Sequence, residues 1–221
     1  MKRGLFITGT DTGVGKTYIA AGIAATLRNR MVDVGVMKPV ETGCRMREGN
    51  LVPSDVMRLL RASAVSDTLD LVNPYRFAKP LAPYVAARLE DKTISISRVM
   101  RTFEVLSSRH EFMIVEGAGG IMVPLTRRET YLDLAQNMGL PALIVARPGL
   151  GTINHTLLTI AALRAKKVPI AGVVINYSRD QVVGPAEKTN PAAIEKISRV
   201  RVLASISFNS RDFYSIIASL K

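Results

Sequence analysis

Gly9-Thr10-Asp11-Thr12-Gly13-Val14-Gly15-Lys16-Thr17 stands between a short apolar run, residues 3–9, and a segment of helical spacing from Lys16 to Arg28. In that segment Ile19, Ala20, Ile23, Ala24 and Leu27 recur on one helix face. Strand, glycine-rich turn and helix in this order make a cradle for phosphate. The helix N-terminus supplies free N–H groups and the positive end of its dipole, and the glycines let the backbone curl close to an anion. Lys16 is then expected to reach the outer phosphates, and the Thr17 hydroxyl to ligate Mg²⁺. The general spacing G-x-x-x-x-G-K-[ST] would put its first glycine where Thr10 stands; Gly9 lies one residue early, and the strand–turn–helix context offsets that departure.

Outward from the turn, apolar runs alternate with helical patterns. Val34–Met37, Phe112–Val115, Ala142–Ala146, Ile170–Ile175 and Val202–Ile206 read as strands. Helices are predicted from Ser54, as N-cap, through Leu60, and over Pro80 to Glu90, Ile96 to Ser108, Thr130–Met138, Ile153 to Lys166 and Arg211 to Leu220. The alternation predicts an α/β fold of the P-loop NTPase type. It is one domain with a mostly parallel central sheet and helices on both faces. Arg45–Pro53 and Ser178–Asn190 are polar, lack apolar periodicity, and are expected to be the mobile segments.

Composition supports this reading. Of 221 residues, 48% are hydrophobic but only 5% aromatic, with no tryptophan, so the core must be aliphatic, as strands covered on both faces require. One cysteine, Cys44, excludes an intrachain disulfide, and nothing around it suggests a nucleophile. No apolar stretch approaches the roughly 20 residues of a membrane span. Leu5-Phe6-Ile7, after Met-Lys-Arg-Gly, is too short for a signal peptide, so a cytoplasmic location is expected. The net charge of +12 is spread over scattered Lys and Arg residues without aromatic interleaving, which predicts a basic solvated exterior and no nucleic-acid or membrane partner.

Polar residues collect where the strands end. Asp11 and Thr12 follow the first strand, Lys38 the second, Glu116 the Phe112–Val115 strand, and Asn176 the Ile170–Ile175 strand. In an open parallel sheet the ligand lies outside these carboxyl ends. Glu116, an acid ending a buried strand, has the form of a Walker-B carboxylate. With Asp55 and Thr17 it would offer Mg²⁺ an oxygen-rich site shared with ATP oxygens and water.

The quoted turn, Lys38-Pro39-Val40-Glu41-Thr42-Gly43 and Ser54-Asp55 together resemble the dethiobiotin synthetase family. So do Val72-Asn73-Pro74-Tyr75-Arg76-Phe77 with Pro80 and Pro83, Val115-Glu116-Gly117-Ala118-Gly119-Gly120, and Gly149-Leu150-Gly151-Thr152-Ile153-Asn154-His155. The resemblance covers about residues 3–176 and fades near Ser207-Phe208-Asn209. It implies an ATP-dependent ligase that joins 7,8-diaminopelargonate and CO₂ into dethiobiotin, with Mg²⁺ as cofactor.

Nucleotide contacts are implied for Thr12, Gly13, Val14, Gly15, Lys16, Thr17, Asp55, Glu116, Gly117, Ala118, Gly119 and Asn176. Metal contacts are implied for Thr17, Asp55 and Glu116. Lys16, Lys38 and Thr12 are the catalytic candidates. Substrate would meet Thr12, Lys38, Thr42 and Gly119, and its distal carboxylate would meet Leu150, Gly151, Thr152, Ile153 and Asn154 of a neighbouring subunit in a homodimer. Arg147 is a further candidate for that carboxylate, or else a solvated arginine. His155 is expected to be structural, and His110 to lie at the wrong end of the sheet. A partition or division-site ATPase is disfavoured, because Asp11-Thr12-Gly13 occupies the place of the signature lysine such proteins carry.

Overall fold

The aliphatic runs form strands buried on both faces. In this computed structural model, which describes residues 3–219, six parallel strands build the main sheet. They are β1 (Gly4–Gly9), β2 (Val34–Met37), β7 (Phe112–Gly120), β8 (Ala142–Ala146), β9 (Ile170–Asn176) and β10 (Val202–Ile206), in the order β10-β9-β8-β1-β7-β2. β1 therefore sits inside the sheet, with Phe6 opposite Val115 on one side and Ala142 on the other. Between these strands lie β3 (Val40–Thr42), β4 (Arg45–Arg47), β5 (Asn50–Val52) and β6 (Tyr75–Phe77). β3 pairs in parallel with β6, and β4 with β5 as a hairpin.

The helices are α1 (Lys16–Arg28), α2 (Ser54–Ser63), α3 (Leu69–Val72), α4 (Pro83–Leu89) and α5 (Ile96–Arg109), followed by α6 (Tyr131–Met138), α7 (Thr152–Ala165), α8 (Pro185–Ser198) and α9 (Tyr214–Ala218). Parallel strands joined by right-handed crossovers put helices on both faces: α1 packs with α2 and α9, α5 with α6, and α7 with α8. The apolar face read from α1 is the buried one, through Ile19, Ile23 and Leu27. Each such side chain contributes about 1.5–3 kcal/mol when fully buried.

Several expectations need correction. Arg45–Pro53 is a short hairpin, because Glu48-Gly49, both at positive φ, make its turn. The second half of Ser178–Asn190 belongs to α8, which starts at Pro185. α2 is capped at Pro53, not Ser54. α4 begins at Pro83 and not Pro80, since proline is well suited to the first helical position. β7 continues past Glu116 to Gly120. The terminal helix runs only from Tyr214 to Ala218, and the Leu220 end of its expected span lies outside the described residues. Among the described residues no helix is long and apolar enough to cross a membrane.

His110 does stand at the opposite end of the sheet from the strand tips. Its Nδ1 lies 2.9 Å from Asp33 Oδ1 and its Nε2 2.6 Å from Asp67 Oδ2, while Arg109 also pairs with Asp67 at 2.9 Å. Burial alone would lower the His110 pKa, but the hydrogen bonds to both aspartates outweigh it and raise it. A raised folded pKa gives stability that is fully present below the unfolded histidine value of about 6.5 and lost as pH rises through the folded value. Melting temperatures of wild type and His110→Gln should therefore differ most at mildly acidic pH and converge as pH rises. A difference that stays constant with pH would refute this contribution of the His110–aspartate contacts.

Candidate active site

The turn after β1 is braced by its own Asp11 and by residues from other strand ends. Gly15, the residue before α1, is left-handed at φ 95°, and a Cβ there would collide with the Asn176 side chain. Asn176 donates from Nδ2 to Val14 O at 2.8 Å, and the Thr10 amide donates to Val145 O at 2.9 Å. Asp11 accepts from the Thr12 amide at 2.7 Å and from Arg147 at 2.6 Å. Lys16 is 6% exposed and donates to Asp11 O at 3.1 Å. Burial is the main reason its pKa falls to about 8, Lys38 adds to the fall, and Glu116, Asp55 and Asp11 oppose it.

Opposite the turn, β2 and β7 deliver a buried ionic cluster. Lys38, just past β2, donates to Glu116 Oε1 at 2.5 Å and to Asp55 Oδ2 at 2.8 Å. Thr17 donates to the same Glu116 oxygen at 2.8 Å. Burial alone would lower the Lys38 pKa, yet Glu116 and Asp55 outweigh it and hold the ammonium protonated. Asp55 is the converse case: burial would raise its pKa, and Lys38 pulls it below the ordinary value.

Beyond Glu116 the strand leaves its register with β1, which runs from Ile7↔Glu116 to Gly9↔Gly120. Three residues, Gly117-Ala118-Gly119, thus oppose Thr8 and arch outward as a bulge. Gly119 holds φ 67°, and a Cβ on it would come within 2.9 Å of Val123.

These parts enclose a cleft of about 690 Å³. Of the residues expected to act, Thr12, Gly13, Gly15, Lys16, Thr17, Lys38, Thr42, Asp55, Glu116, Ala118 and Gly119 all line it. Val14, Gly117 and Asn176 lie behind its wall, the buried Asn176 bracing the turn from below. Leu150, Gly151, Thr152, Ile153 and Asn154 do not reach it. Leu150 is 98% exposed and borders a separate concavity with Gly13, Arg147 and Arg179. Arg147 is bound to Asp11 and also contacts Thr12 O at 3.4 Å, so in this chain it braces the turn. His155 is exposed on α7.

Tyr18, Arg58, Leu81, Ala82 and Val123 line the cleft too and escape sequence reading, and Glu41, quoted there within a motif, is given no role. Glu41 lies buried in β3 between buried Val40 and half-buried Thr42, a placement that three residues cannot announce in sequence.

Glu116 Oε2 is buried and has no hydrogen-bond partner among the described residues. A buried carboxylate oxygen without a partner asks for a cation, and Thr17 and Asp55 stand beside it. No group of three or more His, Cys, Asp or Glu placed to hold a metal ion occurs among the described residues. One or two carboxylates and a hydroxyl are nevertheless what Mg²⁺ uses when nucleotide oxygens and water complete its shell. The donor set therefore fits Mg²⁺.

The sequence has close relatives. A family model described as an AAA domain matches residues 3–211. The ATP-dependent dethiobiotin synthetase BioD of Thermodesulfovibrio yellowstonii is 44% identical over 94% of this chain and 90% of its own. This chain belongs to the dethiobiotin synthetase family. The synthetase of the same name from Bacillus licheniformis is 45% identical over 91% of this chain and 84% of its own. For that from Methanococcus vannielii the identity is 37% over 95% of each chain.

Among solved structures, the MinD cell division protein of Aquifex aeolicus superposes with a TM-score of 0.58 at 18% identity, covering 98% of this chain and 87% of that one. The signal recognition particle receptor FtsY of Elizabethkingia anophelis gives a TM-score of 0.53 at 13% identity, covering 100% of this chain and 65% of that one. These two likenesses concern the fold alone, a parallel sheet flanked by helices.

Proposed function

We propose that this protein is an ATP-dependent dethiobiotin synthase acting in biotin biosynthesis, its 221 residues forming one P-loop ligase domain. The observation that carries the reading is the single cleft in which Lys16, Lys38, Thr17, Asp55 and Glu116 converge. One amine of 7,8-diaminopelargonate attacks CO₂ and loses a proton, giving a carbamate. A carbamate oxygen attacks the γ-phosphorus of ATP, the bond from that phosphorus to the bridging oxygen breaks, and ADP leaves. The second amine then attacks the carbonyl carbon of the mixed anhydride, expels phosphate and loses a proton, closing the cyclic urea.

The central difficulty is bringing two anions, carbamate and γ-phosphate, together. Fixed positive charge aimed at that point is the effective answer, because it needs no reorganisation during reaction. Lys16 reaches from the phosphate turn and Lys38 from the tip of β2. Thr17, Asp55 and Glu116 would hold Mg²⁺, which when bound would supply charge neutralisation at the phosphates. Thr12 and Thr42 carry hydroxyls that hydrogen-bond the carbamate or amines. Ala118 and Gly119, with little or no side chain, let substrate lie against backbone.

The distal carboxylate of the substrate is assigned to residues 150–154 of a second copy. Two features support a homodimer: these residues lie away from their own cleft, and Leu150, Leu158 and Met122 are exposed apolar side chains. A Lys16→Ala subunit mixed with an Asn154→Ala subunit should then recover part of the activity each lacks. Failure to recover any would place the carboxylate elsewhere.

The decisive experiment supplies purified protein with the diamine, bicarbonate and Mg-ATP and looks for the cyclic urea by mass spectrometry. Parallel runs with other nucleotides report base preference. Absence of the cyclic urea under conditions where ATP binds would overturn the assignment.

A further inference from the structure

The first turn of α2 presents free amides with no local partner. Its N-cap is Pro53, which has no side chain able to accept a hydrogen bond. The amides are instead taken by a residue far away in the chain. The Asp55 amide donates to Glu41 Oε1 at 3.0 Å and the Val56 amide to Glu41 Oε2 at 3.1 Å, with the Ser54 hydroxyl at 3.4 Å from Oε1. Two oxygens on two successive amides fix both the height of the helix and its rotation about its axis.

Glu41 is only 4% exposed, and it is rooted in β3, paired with β6 through Glu41↔Arg76. Lys38 lies three residues before it, its amide donating to Val72 O at 2.9 Å and its carbonyl accepting from Asn73 at 2.6 Å. Residues 38–41 therefore place both ends of the 2.8 Å Lys38–Asp55 contact, one directly and one through the helix.

We infer that Glu41 is a positioning residue, which by clamping the first turn of α2 sets where the Asp55 carboxylate stands over the cleft. The inference rests on the proposed reading that Thr17, Asp55 and Glu116 hold Mg²⁺. Capping alone does not explain it, because a serine, threonine or aspartate at position 53 would cap the helix without burying a charge near a second carboxylate. Nor does substrate binding, since both Glu41 oxygens are already engaged by amides of the protein. Groups that orient a metal ligand typically govern metal affinity by about 10–100-fold.

The test compares Glu41→Ala, the isosteric Glu41→Gln, and Glu41→Ala/Pro53→Ser, in which a local serine cap replaces the remote one. Mg²⁺ binding is measured by calorimetry on the ADP-loaded protein, beside ADP affinity without metal and the melting temperature. Mg²⁺ affinity should drop about tenfold or more in Glu41→Ala, with metal-free ADP binding unchanged. The added serine should restore melting temperature but not Mg²⁺ affinity.

A folded Glu41→Gln and Glu41→Ala that bind Mg²⁺ as the wild type does would overturn the inference. So would metal affinity returning together with stability in the double variant, which would make Glu41 a helix cap and nothing more. If wild type itself takes up no Mg²⁺ with ADP, the metal reading fails. The clamp is then judged by amide exchange at Asp55 and Val56, which must quicken in Glu41→Ala if Glu41 holds them.

Discussion

Lys16→Ala is expected to lower kcat/KM by on the order of 10²–10³, as removal of one preorganised donor to developing charge does elsewhere, while leaving the fold intact. Among the described residues its ammonium makes one hydrogen bond, the 3.1 Å contact to Asp11 O, so little structure depends on it. The same weak tethering explains its value. Burial has already brought its pKa down to about 8, and the incoming phosphates supply the anionic partner that Asp11 O does not.

The pH dependence follows with a definite sign. Below about pH 8 the empty site already carries the proton; above it, a proton must be taken up on binding, because the nucleotide-bound state holds that proton more tightly. ADP or ATP affinity should be nearly flat on the acid side of that value and weaken on the alkaline side, and Lys16→Ala should lose this decline. Turnover above a few per cent in Lys16→Ala, or wild-type affinity that ignores pH through this range, would remove Lys16 from the site.

Lys38→Met should harm both stability and chemistry, for one electrostatic reason. The Lys38 and Glu116 side chains are 4% and 1% exposed, and Glu116 has its other oxygen unpartnered. Removing the ammonium strands a buried carboxylate, and breaking such a pair costs about 3–5 kcal/mol. Methionine keeps the volume, so packing contributes little to the loss. The phosphoryl-transfer step should slow by on the order of 10²–10³, with nucleotide affinity changing far less. Single-turnover kinetics beside equilibrium binding separates the two, and equal losses would reduce Lys38 to a nucleotide ligand. Lys38→Met/Glu116→Gln, which removes both charges, should regain stability without regaining turnover. Persistent instability there would mean the cost was not electrostatic.

The phosphate turn and the main strands were legible because each rests on local chemistry. The turn is a contiguous stretch in which glycine, lysine and threonine each have a distinct task, and the strands are aliphatic runs that only a doubly covered sheet explains. β3 and β6 were not legible, since three residues cannot display a period. The hairpin over residues 45–52 looked like a polar loop because its strands are largely exposed and bury no face.

Within the cleft, the strand-tip residues Lys38 and Glu116 were found by their positions, and their roles were implied by the family resemblance. Arg147 and Asp11 are 136 residues apart, and the Glu41 clamp on α2 joins residues 14 and 15 apart; no spacing rule links such pairs. The stretch from Leu150 to Asn154 matched the family motif yet lies away from the cleft, which is why we propose that it serves a second copy.

The interior place of β1 bears on how the molecule comes into being. In the main sheet its neighbours are β7 and β8, and β2 pairs only with β7. Strands that leave the ribosome first thus wait, unmatched, until Phe112 and the residues after it emerge. Joining β1 to β7 closes a loop of more than a hundred residues, from Gly4 to Met113, an arrangement that slows folding. The turn after β1 is made well before β7 and β8, but it takes shape only when those later strands arrive.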